Sequence, residues 1–286
     1  MRIIRLMQNP SLTHRYVRVL TIAGSDSGGG AGIQADMKTI AALGGYGMTA
    51  ITALTAQNTQ GVQGIHAVPP EFLKAQIQSV MDDIGVDAIK IGMLHAPGIV
   101  EVVCWAIDHY KPRHVVLDPV MVATSGDRLI AQETVATLVR DLFPRASLIT
   151  PNLDEAALLL DQPLQTIDQL EAAAQGLLAM GARAVLLKGG HLAGDEVVDV
   201  LLQAPQPAKR FASRRIASHN VHGTGCTLSS AIAVGLAQGL DMAAAVAQAR
   251  SYILQAIADG ASVRTGHGHG PLNHGHQPIA TILLPA

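Results

Sequence analysis

The sequence predicts one α/β domain, a three-layer α/β/α sandwich with a mostly parallel central sheet. Three observations predict this class. Apolar runs of strand length alternate with segments whose apolar residues recur at helical spacing. Strand-like runs such as Val115–Leu117 are continuously apolar, as expected for parallel strands covered on both faces. The 286 residues suffice for a large core, and 49% hydrophobic against 15% charged residues argues against a disordered chain.

The predicted elements follow one another in a regular order. Strands are predicted at 17–23, 46–54, 87–91, 114–118, 147–150 and 183–188, with helices between them at 31–43, 70–83, 96–109, 131–142 and 167–180. The segments 196–203 and 209–216 then predict an antiparallel addition, because a proline-containing linker separates two strand-like runs. Helices at 227–238 and 242–259 follow, and a Gly/His-rich tail begins at about residue 264. Residues 1–17 are interpreted as an extension of a single domain spanning 18–286.

Composition excludes several classes of function. A net charge of −2 and 3% aromatic residues give neither the basic stripe nor the stacking rings of a nucleic-acid surface. Two cysteines cannot build a disulfide framework or a structural zinc site. The first residues lack the long apolar run of a secretory signal, and polar residues interrupt the uncharged segment 216–240. We therefore expect a cytoplasmic protein without a membrane or nucleic-acid partner.

The unusual polar and glycine residues cluster behind the predicted strands. Because the carboxyl ends of parallel strands share one edge of a sheet, these residues should line a common ligand crevice. The residues in question are Gly24-Ser25-Asp26, Gln57-Asn58, Gly92-Met93, Asp118, Pro151-Asn152 and Gly189-Gly190.

The first glycine-rich loop satisfies a relaxed dinucleotide fingerprint, Gly30-x-Gly32-x-x-Ala35. That motif also requires an acidic residue about 20 positions further on to hold a ribose hydroxyl. No Asp or Glu occurs between Asp36 and Glu71, so an oxidoreductase is kept as a distant alternative. The glycines either turn the chain or let the backbone approach another group closely.

A second loop, His222-Gly223-Thr224-Gly225-Cys226-Thr227, opens a predicted helix. Free amides at a helix start favour a phosphate, and no lysine follows a glycine as a Walker A loop requires. The same field would lower the pKa of Cys226 and favour its thiolate. On position alone, a reactive thiolate and a small buried residue remain equally good interpretations of Cys226.

Three further side chains at the strand ends suit phosphate chemistry. Asn152 and Glu155 have the spacing of a capping box, which needs no function, although Glu155 could also orient water around Mg²⁺. Asp118 has few structural duties at a strand end and suits work near a metal or phosphate. Lys188 offers a point charge for phosphate. The tail histidines have no fixed ligand spacing, so a mobile segment is the preferred interpretation there.

Taken together, these motifs resemble the ribokinase-like superfamily, and within it the hydroxymethylpyrimidine/phosphomethylpyrimidine kinases. The resemblance covers residues 18–274. It is carried by seven segments in order: 22–36, Ala56-Gln57-Asn58-Thr59, Lys90-Ile91-Gly92-Met93-Leu94, Leu117-Asp118-Pro119-Val120-Met121, Pro151-Asn152-Leu153-Asp154-Glu155-Ala156, Lys188-Gly189-Gly190-His191 and His222-Gly223-Thr224-Gly225-Cys226-Thr227.

The resemblance implies ATP-dependent phosphorylation of a hydroxymethylpyrimidine and then of its monophosphate, with Mg²⁺ as companion of ATP. It implies a homodimer as a family-level expectation, and pyridoxal kinase is the alternative within the superfamily. The implied roles are a pyrimidine pocket of Gly24, Ala31, Asp36, Gln57, Met93 and Val120; Mg²⁺ held by Asp118 and Glu155 through water; nucleotide phosphates near Asn152, Lys188 and Thr224; and an anion hole of Gly223, Gly225 and Cys226.

One position is typical of this branch of the superfamily, and another departs from it. Many members carry Asp as catalytic base where this chain has Cys226, and the pyrimidine kinases resemble one another in having Cys there. The resemblance implies that a Cys226 thiolate accepts the alcohol proton in the first transfer. Val221 departs from the usual Thr of the branch without removing an anion donor.

Overall fold

The computed structural model describes residues 13–121 and 130–285. Within them the strands are β1 (His14–Tyr16), β2 (Arg18–Asp26), β3 (Tyr46–Asn58), β4 (Gly61–Ala67), β5 (Ala88–Ile91), β6 (Val115–Leu117), β7 (Leu148–Ile149), β8 (Val185–Leu187), β9 (Glu196–Leu202), β10 (Lys209–Arg214) and β11 (Leu283–Pro285). The α-helices are α1 (Gly32–Ala42), α2 (Pro70–Asp83), α3 (Pro97–Tyr110), α4 (Gln132–Thr137), α5 (Leu153–Leu160), α6 (Leu170–Ala179), α7 (Thr224–Ala237) and α8 (Met242–Gly260).

The central sheet has the strand order β10-β9-β8-β7-β6-β5-β2-β3-β4. Strands β3, β2, β5, β6, β7 and β8 pair in parallel, while β4, β9 and β10 join antiparallel at the two edges. The predicted α/β class and the predicted antiparallel addition are therefore confirmed. The carboxyl ends of β2, β5, β6, β7 and β8 lie along the same rim.

Alternate residues of each central strand feed two separate cores. Leu20 and Ile22 point to a core shared with α2, α3, α5 and α6, whereas Val19 points to a core shared with α1, α7 and α8. Both cores are almost wholly aliphatic, and burial of this apolar surface is the main favourable contribution to folding. The three-layer arrangement follows because each strand is buried on both faces.

Some elements differ from their predictions. Strand β4 was not predicted, since its glycines and exposed positions hide the strand pattern. Helix α5 was not predicted either, although its capping box was recognised. The segment predicted as one helix at 131–142 is α4 followed by a π-helical turn, Leu138–Leu142. A one-residue change in hydrogen-bond spacing of this kind leaves no mark on apolar periodicity.

The first and last described strands form a separate two-stranded sheet. Strand β1 pairs antiparallel with β11, with Arg15 opposite Leu284. Residues 1–12 of the predicted extension lie outside the described residues. The division into an extension and one domain stays a prediction.

The Gly/His-rich tail is packed against the domain, so the expectation of a mobile segment is wrong for the part that follows α8. Leu272 and His274 are buried, and Asn273 N–H donates to Ala256 O at 3.1 Å. Within the described ranges, no group of three or more His, Cys, Asp or Glu side chains is arranged to hold a metal ion. No helix in these ranges is both long and apolar enough to cross a bilayer.

Candidate active site

A cavity of about 610 Å³ opens at the carboxyl ends of the central strands. A volume of this order accommodates small-molecule ligands. Its wall contains thirteen of the fourteen site residues predicted from the sequence: Gly24, Ala31, Gln57, Met93, Asp118, Val120, Asn152, Glu155, Lys188, Gly223, Thr224, Gly225 and Cys226.

Asp36 is the exception, and its predicted place in the pyrimidine pocket is corrected. The residue is 0% exposed and lies beneath the wall. Its carboxylate accepts hydrogen bonds from Lys90 at 2.9 Å, from Thr21 at 2.6 Å and from Ser230 at 2.7 Å. These three donors, on β5, β2 and α7, saturate the carboxylate, so that Asp36 is a cross-link between elements rather than part of the cavity surface.

Sequence reasoning missed Lys90, which is also 0% exposed. Burial lowers the pKa of Lys90, but the charge and hydrogen bond of Asp36, together with the nearby Cys226 and Asp118, outweigh this effect, so the pKa is raised overall. The signal was a lysine inside the otherwise apolar strand β5, because an ammonium in such a place requires a buried anion.

The Asp26 side chain lies inside the first glycine-rich loop and is hydrogen-bonded to its amides. Its carboxylate accepts the amides of Gly28, Gly30 and Ala31 at 2.8, 3.0 and 2.9 Å. Burial raises the pKa of Asp26, but the hydrogen bond from His222 and those from the loop amides outweigh it, so the pKa is lowered. Since the loop amides are engaged by this internal anion, they do not offer a pyrophosphate cradle. The oxidoreductase alternative therefore loses its structural basis.

The two glycine-rich loops are locked together. His222 Nε2 donates to Asp26 Oδ2 at 2.9 Å. Gly223 has φ +86°, and a Cβ placed there would lie 1.9 Å from Gly30 O. Only glycine combines this left-handed backbone with such a close approach.

The start of α7 has the geometry of an anion site. Among the described residues, no hydrogen-bond acceptor is found for the Gly225 and Cys226 amides, while Thr224 N–H closes the turn onto Val221 O at 3.2 Å. Unpaired amides at a helix start carry partial positive charge. A Cβ added to Gly225 would lie 3.2 Å from Asp118 Oδ2 and 3.2 Å from Lys188 Nζ. The free amides thus adjoin the charged side chains that follow β6 and β8.

Those charged side chains form a compact cluster. Lys188 Nζ donates to Asp118 Oδ1 at 2.8 Å, and Thr150 Oγ1 donates to the same oxygen at 3.1 Å. Glu155 accepts Asn152 N–H at 2.8 Å while Asn152 Oδ1 accepts Glu155 N–H at 2.9 Å, which completes the capping box. Burial raises the pKa of Glu155 to about 7; Lys188 opposes the rise and Asp118 adds to it.

This donor set fits Mg²⁺ only in part. Asp118 and Glu155 supply two buried carboxylates, but no third acidic, His or Cys side chain joins them in the described ranges. Mg²⁺ keeps several waters and binds through one or two carboxylates plus substrate phosphates. Asp118 and Glu155 would therefore hold the ion through water when phosphates are present.

The pKa of Cys226 corrects another expectation. Position alone left a reactive thiolate and a small buried residue as equally good interpretations, and the resemblance implied the thiolate. Instead, burial raises the pKa of Cys226 to about 11; Lys90 and the Gly32 amide oppose the rise, and Asp36 and Asp118 add to it. The side chain is a thiol at neutral pH in the ligand-free protein.

The cavity wall combines apolar and polar side chains. Met93 packs on Gly24, where an added Cβ would lie 2.9 Å from Met93 Cε, and the polar side chain of Gln57 lines the same cavity. The wall also includes Ile216, Leu254, Ile257 and Arg250, and Arg250 pairs with Asp199. Sequence reasoning missed these four residues, since Ile216, which follows β10, and the residues of α8 meet only in the folded chain.

Comparison with known proteins assigns the family. The sequence model described as phosphomethylpyrimidine kinase matches residues 26–273. The chain belongs to this family. The hydroxymethylpyrimidine/phosphomethylpyrimidine kinase of Escherichia coli K12 is 48% identical over 263 residues, which cover 92% of this chain and 98% of that protein.

Solved structures agree with this assignment. The phosphomethylpyrimidine kinase of Clostridium difficile 630 shares 41% identity at a TM-score of 0.75, covering 84% of this chain and 99% of its own. An ADP complex of Bacillus subtilis pyridoxal kinase shares 37% identity at a TM-score of 0.84, covering 91% of this chain and 98% of its own. The predicted family and α/β fold are confirmed.

Proposed function

We propose that the protein phosphorylates a hydroxymethylpyrimidine with ATP and then phosphorylates the monophosphate, as a kinase of thiamine biosynthesis. The observation that carries the proposal is the position of the unpaired Gly225 and Cys226 amides beside Asp118 and Lys188. This anion site lies in the same cavity as Met93 and Gln57. The relatives that bear the kinase name support the substrate.

The chain's own residues would act mainly by positioning and by electrostatics. The apolar side chain of Met93, which packs on Gly24, would lie against a flat ring, and Gln57 would hydrogen-bond the polar edge of that ring. The Gly225 and Cys226 amides stabilise charge on the phosphoryl group during transfer, and Lys188 neutralises the phosphates beside it. Mg²⁺ held by Asp118 and Glu155 would supply further charge neutralisation. Asn152 and Thr224 line the same cavity and would contact the nucleotide phosphates.

Cys226 bears on the first transfer because the alcohol must lose a proton. A thiol with a pKa of about 11 is a poor base until a ligand or phosphate alters its surroundings. The second acceptor is a phosphate oxygen that is already anionic. A base is therefore needed in the first transfer only.

A coupled assay of ADP release with hydroxymethylpyrimidine, run with and without Mg²⁺, tests the proposal. We expect turnover that depends on both the pyrimidine and Mg²⁺. The matched control is Lys188→Met, which removes the charge beside Asp118 and should abolish turnover. ADP release that is independent of the pyrimidine, or no turnover at all, would contradict the proposal.

Pyridoxal is the second candidate acceptor, because pyridoxal kinases are among the structural neighbours. Comparison of kcat/KM on both alcohols decides the preference, and we expect the pyrimidine to be favoured. A homodimer and a cytoplasmic location stay predictions.

A further inference from the structure

Residues 260–274, here called the C-terminal strap, contact the segment before α7, the turn between β3 and β4, and the first turn of α7. Their first contact is with the segment that leads into α7. Asn220 Nδ2 donates to Gly260 O at 2.7 Å and to Val263 O at 2.6 Å. Further along, His222 N–H donates to Gly270 O at 3.1 Å. The strap therefore holds the approach to the anion site.

The second contact is with the turn between β3 and β4. Thr59 Oγ1 accepts the His267 and Gly268 amides at 3.2 and 3.1 Å. A Cβ added to Gly268 would lie 1.9 Å from Thr59 O, so glycine is required where the strap crosses this turn. Thr59 is two residues beyond Gln57, which lines the cavity.

The third contact is with the first turn of α7 itself. His274 Nε2 and Thr227 Oγ1 are hydrogen-bonded at 2.9 Å, and both residues are buried. Tyr252 O–H donates to His274 O at 2.6 Å and fixes the strap at this point. Burial lowers the pKa of His274 to about 4, so the ring is neutral at neutral pH.

These contacts bracket the anion site on both sides. His222 precedes the four residues 223–226 and Thr227 follows them. The strap is hydrogen-bonded to both of these flanking residues. Within the described chain, the Gly225 and Cys226 amides lack an acceptor that would fix their direction. Their direction is therefore set by the backbone of the first turn of α7 and by the residues that hold the two ends of that turn.

We propose that the C-terminal strap positions the anion-binding amides for phosphoryl transfer, with His274 as the positioning residue that acts through Thr227. This inference rests on the proposed kinase function. His274 does not line the cavity and acts without touching a substrate. A misdirected donor weakens charge stabilisation in the transition state more than it weakens substrate binding.

The test compares three variants. His274→Leu removes the hydrogen bond to Thr227, and His274→Gln keeps a polar group near the position of Nε2. His269→Leu is the matched control, because His269 is an exposed histidine of the same strap. We expect His274→Leu to lower kcat at least tenfold with KM for the pyrimidine changed less than threefold. His274→Gln should recover most of kcat, and His269→Leu should match the unmodified protein.

Hydrogen exchange of the peptide containing residues 222–227, in ligand-free protein, provides a readout independent of activity. Exchange should be faster in His274→Leu than in His274→Gln and His269→Leu. All measurements are made well below the unfolding midpoint of each variant. If His274→Leu does not fold, Thr227→Val with Thr227→Ser as its conservative partner removes the same bond from the other side.

Three outcomes overturn the inference: an unchanged kcat in folded His274→Leu, a lowered kcat without faster exchange in 222–227, or a lowered kcat that His274→Gln does not restore. If the unmodified protein has no kinase activity, the proposed function fails. The exchange measurement still decides whether the strap restricts the opening of residues 222–227.

Discussion

Two opposing effects act on the pKa of the Cys226 thiol. Its position at the start of α7 favours the anion, while burial raises the pKa of its thiol to about 11. A base role in catalysis therefore requires that ligands shift this balance. The structure also leaves a simpler role, in which the residue contributes only its backbone amide.

Cys226→Ala separates the two roles. If the side chain is the base, transfer to the hydroxymethyl group should fall about 100-fold, the lower range for a general base, while transfer to the monophosphate falls much less. Separate single-turnover measurements of the two transfers, by quench flow, provide the comparison. Equal losses in both transfers would exclude the base role and leave the amide alone.

Glu155 predicts a dependence of stability on pH. Its pKa is about 7 in the fold against an ordinary value of 4.5, so the folded state binds the proton more tightly than the unfolded state. Its contribution to stability is therefore lost as pH rises from 4.5 through 7. Glu155→Gln keeps an acceptor for Asn152 N–H and carries no charge. We expect its Tm to exceed that of the unmodified protein at pH 8 and to equal it near pH 4.5, measured by thermal unfolding.

The same variant should lose activity, since a neutral amide orients water around Mg²⁺ poorly. A Glu155→Gln protein that is less stable than the unmodified protein at pH 8 would contradict the raised pKa.

At the residue scale, sequence reasoning found the cavity wall but not the layer beneath it. Asp118 and Lys188 could be found because each ends a predicted strand, and Gln57 because it lies three residues beyond one. Asp36 could not be placed, because helical spacing does not show whether a carboxylate faces a cavity or a buried ammonium. Its partners Lys90 and Ser230 are 54 and 194 residues away in sequence.

Among the elements, α7 carries the largest share of the site through its first turn. Gly225→Ala should lower kcat about 100-fold, because the added methyl group would occupy the space between the amides and the Asp118–Lys188 pair. Gly64→Ala is the control, since its nearest neighbour would be the Ala56 Cβ at 3.9 Å. Steady-state kinetics and Tm are measured for both. A Gly225→Ala enzyme with unchanged kcat would show that this space is not used.

The elements of the central sheet were largely predictable, while the edges were not. Continuous apolar runs marked β6 and β8 because both faces of these strands are buried. Strand β4 has one neighbour and is mostly exposed, so its sequence is not constrained by burial. The strap was mistaken for a mobile tail since its order comes from backbone contacts with Thr59, Asn220 and His222, which apolar periodicity does not register.

Across the whole molecule, the Lys90–Asp36 pair joins elements from both cores. Lys90→Met would leave the Asp36 carboxylate buried without its cation, and removal of one partner of such a pair costs about 3–5 kcal/mol. We expect urea unfolding to show a loss of this order in the free energy of unfolding. The double variant Lys90→Met with Asp36→Leu should recover much of it, because two apolar side chains fill a similar volume.

Urea titration followed by circular dichroism distinguishes these cases. A single variant whose free energy of unfolding lies within about 1 kcal/mol of the unmodified protein would show that the pair is not a cross-link. A double variant less stable than the single one would show that the hydroxyls of Thr21 and Ser230 depend on the carboxylate.

Asp26 has a consequence for how glycine-rich turns are interpreted in other chains. A turn of this composition usually suggests a binding site for an external anion. Here the Asp26 side chain, two residues before Gly28, accepts the hydrogen bonds of the turn instead. A turn whose amides are bonded to a carboxylate of the same chain should not bind added phosphate or sulfate. An acidic residue just before a run of glycines thus indicates that its own carboxylate can occupy the anion site that the glycine pattern suggests.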